Sequence, residues 1–307
     1  MRIFVTGATG FVGSAVVKEL IGAGHHVLGL ARSEGGAKSL LAAGAVVHRG
    51  DLDDLKALQS GAAAADGVIH TAFIHDFSKF KENCEIDKRA IETLGAELAG
   101  SERPLIVTSG LALVAKGPLA TEDDPPAPVT DLYPRASEEA ATSLEKRGVR
   151  TIVVRLPQVH DTKKQGLVTY TIAVAREKGV SAYLGDGANR WAAVHRLDAA
   201  RLYRLVLEKG AAGGRYHAVA EEGVAARDIA EAIGRGLKIP VVSKSPEEAA
   251  KHFGWMAVFA GLSLAGSSVK TQAELGWRPT GPGLIADLEQ MNYFEADTIT
   301  ASAARRS

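Results

Sequence analysis

Three glycines, Gly7, Gly10 and Gly13 in the stretch VTGATGFVG, fall between a short apolar run and a segment with helical apolar spacing. An absent side chain at each lets a turn close, a backbone approach a pyrophosphate, and a helix settle against the strand before it. The amides opening that helix bring N–H donors and positive potential for phosphate oxygens. Gly7, Thr9, Gly10, Phe11, Val12 and Gly13 are therefore expected to cradle a dinucleotide. The end of the next strand selects among dinucleotides, because an acid there bonds the adenosine ribose hydroxyls and repels a 2′-phosphate. Here it reads Leu30-Ala31-Arg32-Ser33, with donors and no acid, which favours NADP over NAD. Asp51 and Leu52, in HRGDLDD, are placed to flank the adenine, and a helix cap competes for Asp51.

Other polar groups have a functional and a structural reading side by side. His75 stands near the carboxyl end of a strand, where doubly wound sheets bind ligands, and is either an acid or substrate ligand or a surface residue. The stretch GDGANRW joins flexible glycines to Asn189, Arg190 and Trp191. It suits a lid over substrate, with a turn whose indole packs into the second lobe as the alternative.

These residues must be held by elements with two periodicities. Short apolar runs at Arg2 to Thr6, His26 to Leu30, Ala45 to His48, Gly67 to Thr71, Pro104 to Thr108 and Thr151 to Leu156 alternate with helical segments. Strands that alternate with helices predict an α/β fold with a doubly wound parallel sheet. TEDDPPAP, residues 121–128, predicts a rim loop. After Leu156 the alternation weakens, with helices expected near Leu167 to Lys178 and Leu197 to Lys209 and a strand at Tyr216 to Val219. The expected organisation is a dinucleotide-binding domain over 1–156, its sheet completed by about 192–220, and a smaller interleaved substrate lobe over 157–295. The polar end, TITASAARRS, is expected to fray.

With 307 residues and 46% hydrophobic content, the chain can build a real core. Thirty-six basic residues balance thirty-six acidic ones, so no global field favours nucleic acid or an anionic membrane. A single cysteine, Cys84, excludes an internal disulfide and a multi-cysteine zinc site, and no metal is expected. No basic and apolar leader and no membrane-length run is evident, so a cytoplasmic protein is expected.

With TGATGFVG near the start, VIHTA, LIVTSG and VVRLPQV at later strand ends, and VHRLDAARLY further on, the sequence resembles the extended short-chain dehydrogenase/reductase superfamily. SAYLGDGANRWAAVHRLDAARLYRLVLEKG looks like its atypical group labelled NAD-dependent epimerase/dehydratase. The resemblance implies a Rossmann fold, cofactor contacts from Thr71, Ala72, Phe73, Thr108, Pro157 and Val159, and His160 near the nicotinamide. It also implies a catalytic serine or threonine and a YxxxK pair on one helix face. Ser109 and Tyr133 are the corresponding hydroxyls, Gly110 being the alternative register for the first. The lysine position holds Ser137, and Arg135 on a helix would point elsewhere.

The expected function is an NADP-dependent oxidoreductase acting on a small carbonyl substrate, with Tyr133, Ser109 and His75 as candidate catalytic groups. The alternatives are a non-catalytic NADP-binding regulator and a nucleotide-sugar epimerase or dehydratase. A homodimer through the Ile86 to Leu98 and Arg135 to Leu144 helices is expected by resemblance.

Overall fold

A computed structural model describes residues 1–114, 117–131 and 133–293. The terminal TITASAARRS lies outside them.

The chain runs β1 (Arg2–Thr6), α1 (Phe11–Gly22), β2 (His26–Ala31), α2 (Glu34–Ala42), β3 (Val46–Arg49), α3 (Leu55–Ala63) and β4 (Gly67–His70). It continues with α4 (Phe80–Leu98), β5 (Leu105–Gly110), α5 (Ser137–Glu145), β6 (Thr151–Leu156), β7 (Gln158–His160), α6 (Val168–Lys178) and β8 (Ser181–Leu184). β9 (Arg190–His195), α7 (Arg196–Lys209), β10 (Arg215–His217), β11 (Glu221–Ala225) and α8 (Ala226–Leu237) follow. The last elements are β12 (Val241–Lys244), α9 (Pro246–Phe253), α10 (Ala257–Ala260), α11 (Val269–Leu275) and α12 (Leu284–Gln290).

Two compact units result. The first holds Met1–Val159, Trp191–Gly223 and Leu264–Gly281, and the second holds His160–Arg190, Val224–Ser263 and residues 282–293.

In the first unit, seven strands form one sheet in the order β10-β6-β5-β4-β1-β2-β3. Its pairings are parallel. This is the doubly wound sheet that the alternation predicts. Successive side chains leave a strand on opposite faces, and each face is apolar here. Ile3, Val5, Ile69, Ile106, Ile152 and Val154 pack with α1 and α7 residues, including Val16, Leu20, Leu202 and Val206. Phe4, Val68, Leu105, Val107 and Val153 pack on the other face with Leu58 of α3, Ile91 and Leu94 of α4, and Leu144 of α5. The order reverses between β1 and β4, so their carboxyl ends open a crevice where ligands of such sheets bind.

Several boundaries differ from the sequence expectation. β5 runs to Gly110, which puts Ser109 inside a strand, and α4 starts at Phe80. The strand expected at Tyr216 to Val219 is Arg215–His217. α5 starts at Ser137, so the expected helix from Arg135 loses its first two residues. The TEDDPPAP segment is a loop, as expected, and buried polar groups tie it down. Glu122 is buried and accepts hydrogen bonds from the Thr271 amide (2.8 Å) and hydroxyl (2.7 Å). Buried Arg155 forms a two-pronged pair with Glu138 at 3.0 and 2.8 Å and donates to the Asp124 carbonyl at 2.9 Å.

In the second unit, β8 pairs in parallel with β12. His160 Nδ1 meets Asp287 Oδ2 at 2.6 Å, both side chains buried. A capping box at Ser245 and Glu248 starts α9.

Candidate active site

Gly7 follows β1 with φ +67°, which a residue with Cβ adopts at a cost. The space is also closed, since a Cβ there would lie 2.7 Å from the Ala72 amide nitrogen. At Gly13 a Cβ would meet the Gly7 carbonyl oxygen at 2.1 Å, so the loop and α1 touch backbone to backbone. The Gly10 amide closes the turn onto the Gly7 oxygen at 2.8 Å. Gly10 is the N-cap of the twelve-residue α1 and places no side chain over its first amides. A loop with glycine at each close backbone contact, opening onto an uncapped helix start at the switch point of the sheet, fits a dinucleotide pyrophosphate.

The adenosine end adjoins this loop. The site of a Cβ on Gly36 is 3.1 Å from the Thr9 methyl and 3.2 Å from Ser33 Oγ, so the first residues of α2 rest on the glycine loop. Ala31 closes β2, Arg32 is exposed, and Ser33 caps α2 by accepting the Gly36 amide at 3.1 Å. The nearest following acid in sequence, Glu34, pairs with Arg49. Asp51 Oδ1 accepts the Asp53 and Asp54 amides at 3.0 and 3.1 Å, a turn that precedes the true cap of α3, Asp54. Leu52 is buried in the core.

At the other end of the crevice lies a polar chain that sequence reasoning missed. Thr6 Oγ1 and His70 Nδ1 meet at 2.8 Å across β1 and β4. His70 Nε2 meets Asp87 Oδ1 at 3.1 Å, and the Ser137 hydroxyl donates to Asp87 Oδ2 at 2.6 Å. Burial opposes the charged form of Asp87, but the His70 hydrogen bond and the Arg135 charge outweigh it and hold the carboxyl below its usual range. Ser137, at the lysine position, is 1% exposed and committed to this carboxylate.

Arg135 corrects the helical reading. Because residues 133–136 precede α5, Arg135 donates from Nε to Ser137 Oγ (3.0 Å) and from Nη2 to the Thr108 carbonyl (3.2 Å). Its guanidinium carbon lies 4.4 Å from the Phe73 ring centroid. Thr108 Oγ1 is engaged by the His70 carbonyl at 2.7 Å and by Tyr203 Oη at 2.6 Å. Burial pushes the Tyr203 phenol far above its ordinary range, so it stays protonated.

Ser109, Tyr133 and Arg135 line one cavity of about 450 Å3, roofed by Pro126 to Val129 and floored by α5. Tyr133 is held by an exchange of hydrogen bonds with Thr130, each amide donating to the other's carbonyl at 3.1 Å. Tyr133 is therefore fixed by a turn and not by a helix, and it does not share a helix face with Ser137. Beside Arg135, the rings of Phe73, Phe77 and Phe80 form an aromatic cluster with the exposed His75, whose Nδ1 lies 3.1 Å from the Phe73 carbonyl. Thr71 donates to the Thr6 carbonyl at 2.8 Å.

The remaining candidates lie elsewhere. The Asn189 amide group donates to the Ala260 and Leu262 carbonyls, both at 3.0 Å, Arg190 opens β9, and Trp191 is 4% exposed. The Asn189 amide nitrogen and the Trp191 ring are thus engaged within the fold, and Trp191 belongs to the first unit, not to the second lobe of the packing alternative. Pro157 links β6 to β7, and Val159 is buried. Cys84 is buried, and burial pushes its thiol up to about 11, away from nucleophilic use.

Residues 3–220 match the family described as the NAD dependent epimerase/dehydratase family. The chain belongs to that family. An uncharacterised protein of Schizosaccharomyces pombe is 50% identical over 299 residues, covering 96% of this chain and 100% of its own. A decarboxylating sterol-4-alpha-carboxylate 3-dehydrogenase of Dictyostelium discoideum is 28% identical over 225 residues, 68% of each chain. Among solved structures, UDP-glucose 4-epimerase of Thermus thermophilus, in complex with NAD, superposes with a TM-score of 0.74 at 21% identity. That match covers 97% of this epimerase/dehydratase-family chain and 100% of the other, and speaks for the fold. Like its family, the chain is an enzyme of the NAD-dependent oxidoreductase, epimerase and dehydratase type. No helix among the described residues is long and apolar enough to cross a membrane.

Proposed function

We propose that this enzyme uses NADP to interconvert a small carbonyl compound and its alcohol. The observation that carries the reading is the shared cavity of Ser109 and Tyr133 in the unit that also holds the glycine loop. When bound, the reduced cofactor supplies hydride. Tyr133 donates its phenolic proton to the carbonyl oxygen, Ser109 hydrogen-bonds that oxygen, and solvent reprotonates the phenol. The coenzyme choice rests on exposed Arg32, on the absence of an acid at positions 31 to 33, and on the commitment of Glu34 to Arg49. The dehydrogenase named among the relatives supports redox chemistry on an alcohol or ketone.

A nucleotide-sugar reading is less favoured. The cations of the second unit that a diphosphate would use do not converge, since Arg176 donates to the Tyr293 carbonyl and Lys178 pairs with Glu177. The deciding experiment mixes the protein with NADPH and a panel of aldehydes, ketones and imines, following loss of absorbance at roughly 340 nm. Turnover of a panel member supports the reading. Tight NADPH binding with no turnover across the panel sinks it and returns the regulator reading.

A further inference from the structure

Two cations line the cavity beside Tyr133, exposed Lys146 and half-buried Arg135, and the donors of Arg135 are mostly unspent. A guanidinium has five N–H donors, and Arg135 uses one on Ser137 and one on the Thr108 carbonyl, which leaves three. Among the described residues it forms no ion pair, although it is half-buried and its position is fixed on three sides. The two acids that also line the cavity have partners of their own. Glu138 is bound by Arg155 at 2.8 Å, and Glu139 lies 3.6 Å from Lys88. Asp87 feels the Arg135 charge but meets it through the Ser137 hydroxyl, so its carboxylate orients the guanidinium without taking its open N–H groups.

Holding a cation at this depth is costly unless something completes its hydrogen bonding. The planar fork of arginine matches a carboxylate in two-pronged fashion. Against the same group stands the ring of Phe73, and the apolar wall of the cavity is the stretch Pro126 to Val129.

We propose that Arg135 is the anion-recognition residue of the cavity and that the substrate is a carbonyl compound bearing a carboxylate on an apolar or aromatic body. This rests on the oxidoreductase reading and narrows its substrate class. The carboxylate takes the open fork of Arg135, the apolar body lies along the Pro126 to Val129 wall, and Ser137 and Asp87 position the guanidinium.

Calorimetry on the protein saturated with NADP+ tests it with two probes of like shape, phenylacetate and its neutral counterpart 2-phenylethanol. The wild type is expected to bind phenylacetate at least about tenfold more tightly than the alcohol. Arg135→Gln should erase that difference, and Arg135→Lys, which keeps the charge and loses the fork, should retain part of it. Unchanged NADPH affinity and melting temperature in the variants separate loss of recognition from loss of fold. Equal binding of the two probes, no binding of either, or a preference that survives in Arg135→Gln overturns the proposal. Failure of the oxidoreductase reading shows separately, as NADPH left unconsumed with every carbonyl tried, phenylpyruvate included, while the calorimetric preference stands or falls by itself.

Discussion

In the proposed reading Tyr133 supplies the proton and Asp87 holds its neighbours in position. If Tyr133 donates the proton, Tyr133→Phe removes turnover by about a hundredfold or more while NADPH affinity stays within about twofold. Stopped-flow reduction beside a cofactor titration checks both numbers, and full activity in the variant dismisses the role. Asp87 is a buried carboxylate satisfied by His70 and Ser137, so Asp87→Ala strips both of their shared acceptor. Denaturant melts should show a loss of about 3–5 kcal/mol, the scale for breaking a buried charge cluster from one side. A loss under about 1 kcal/mol would mean that the network is solvated.

At the scale of elements, two junctions carry the site. The β1–α1 junction depends on contact between the Gly7 carbonyl and Gly13, so Gly13→Val must push the helix off the loop. The expected result is destabilisation of about 1–3 kcal/mol and loss of NADPH binding, read by melting and by cofactor fluorescence. Cofactor binding at wild-type affinity would show that α1 does not need this contact. The second junction ties the 121–124 loop beneath the cavity roof through Arg155 and His217. His217 receives an Arg155 contact at 3.2 Å and its Nδ1 lies 2.9 Å from the Ser267 carbonyl, so Nδ1 is the protonated nitrogen. Burial, with the Arg155 charge adding to it against the pull of Glu122, lowers the histidine below its ordinary value. The unfolded chain therefore takes up a proton near pH 6.5 that the folded chain refuses. Stability is full above that pH and falls as the pH drops below it, and His217→Gln should flatten this slope in urea melts between pH 7.5 and 5.5.

Across the whole molecule, cofactor binding and folding are linked, because the cradle exists only in the folded chain. NADPH at a hundred times its dissociation constant should add about 2.7 kcal/mol, a few degrees in melting temperature, and NADH at the same concentration distinctly less. Equal shifts from the two would refute the coenzyme preference, and Arg32→Ala should make them equal if that guanidinium reads the 2′-phosphate.

The sequence alone determined what depends on near neighbours. Glycine spacing is legible because a turn, a close backbone approach and a helix start are satisfied within thirteen residues. The strands are legible because burial on both faces forces continuous apolar runs, as at Ile3 to Val5 and Leu105 to Val107. The tertiary structure decided where the charges go. The sequence shows Arg135 two positions after Tyr133, but whether it faces solvent or the cavity depends on where α5 begins, and contacts with Thr108 and Phe73 far along the chain set that. Asn189 and Trp191 carry the residue types of a recognition loop, yet the carbonyls of Ala260 and Leu262 and the core around the indole claim them. A polar side chain commits to whichever partner folding brings nearest, and only the folded chain makes that partner known.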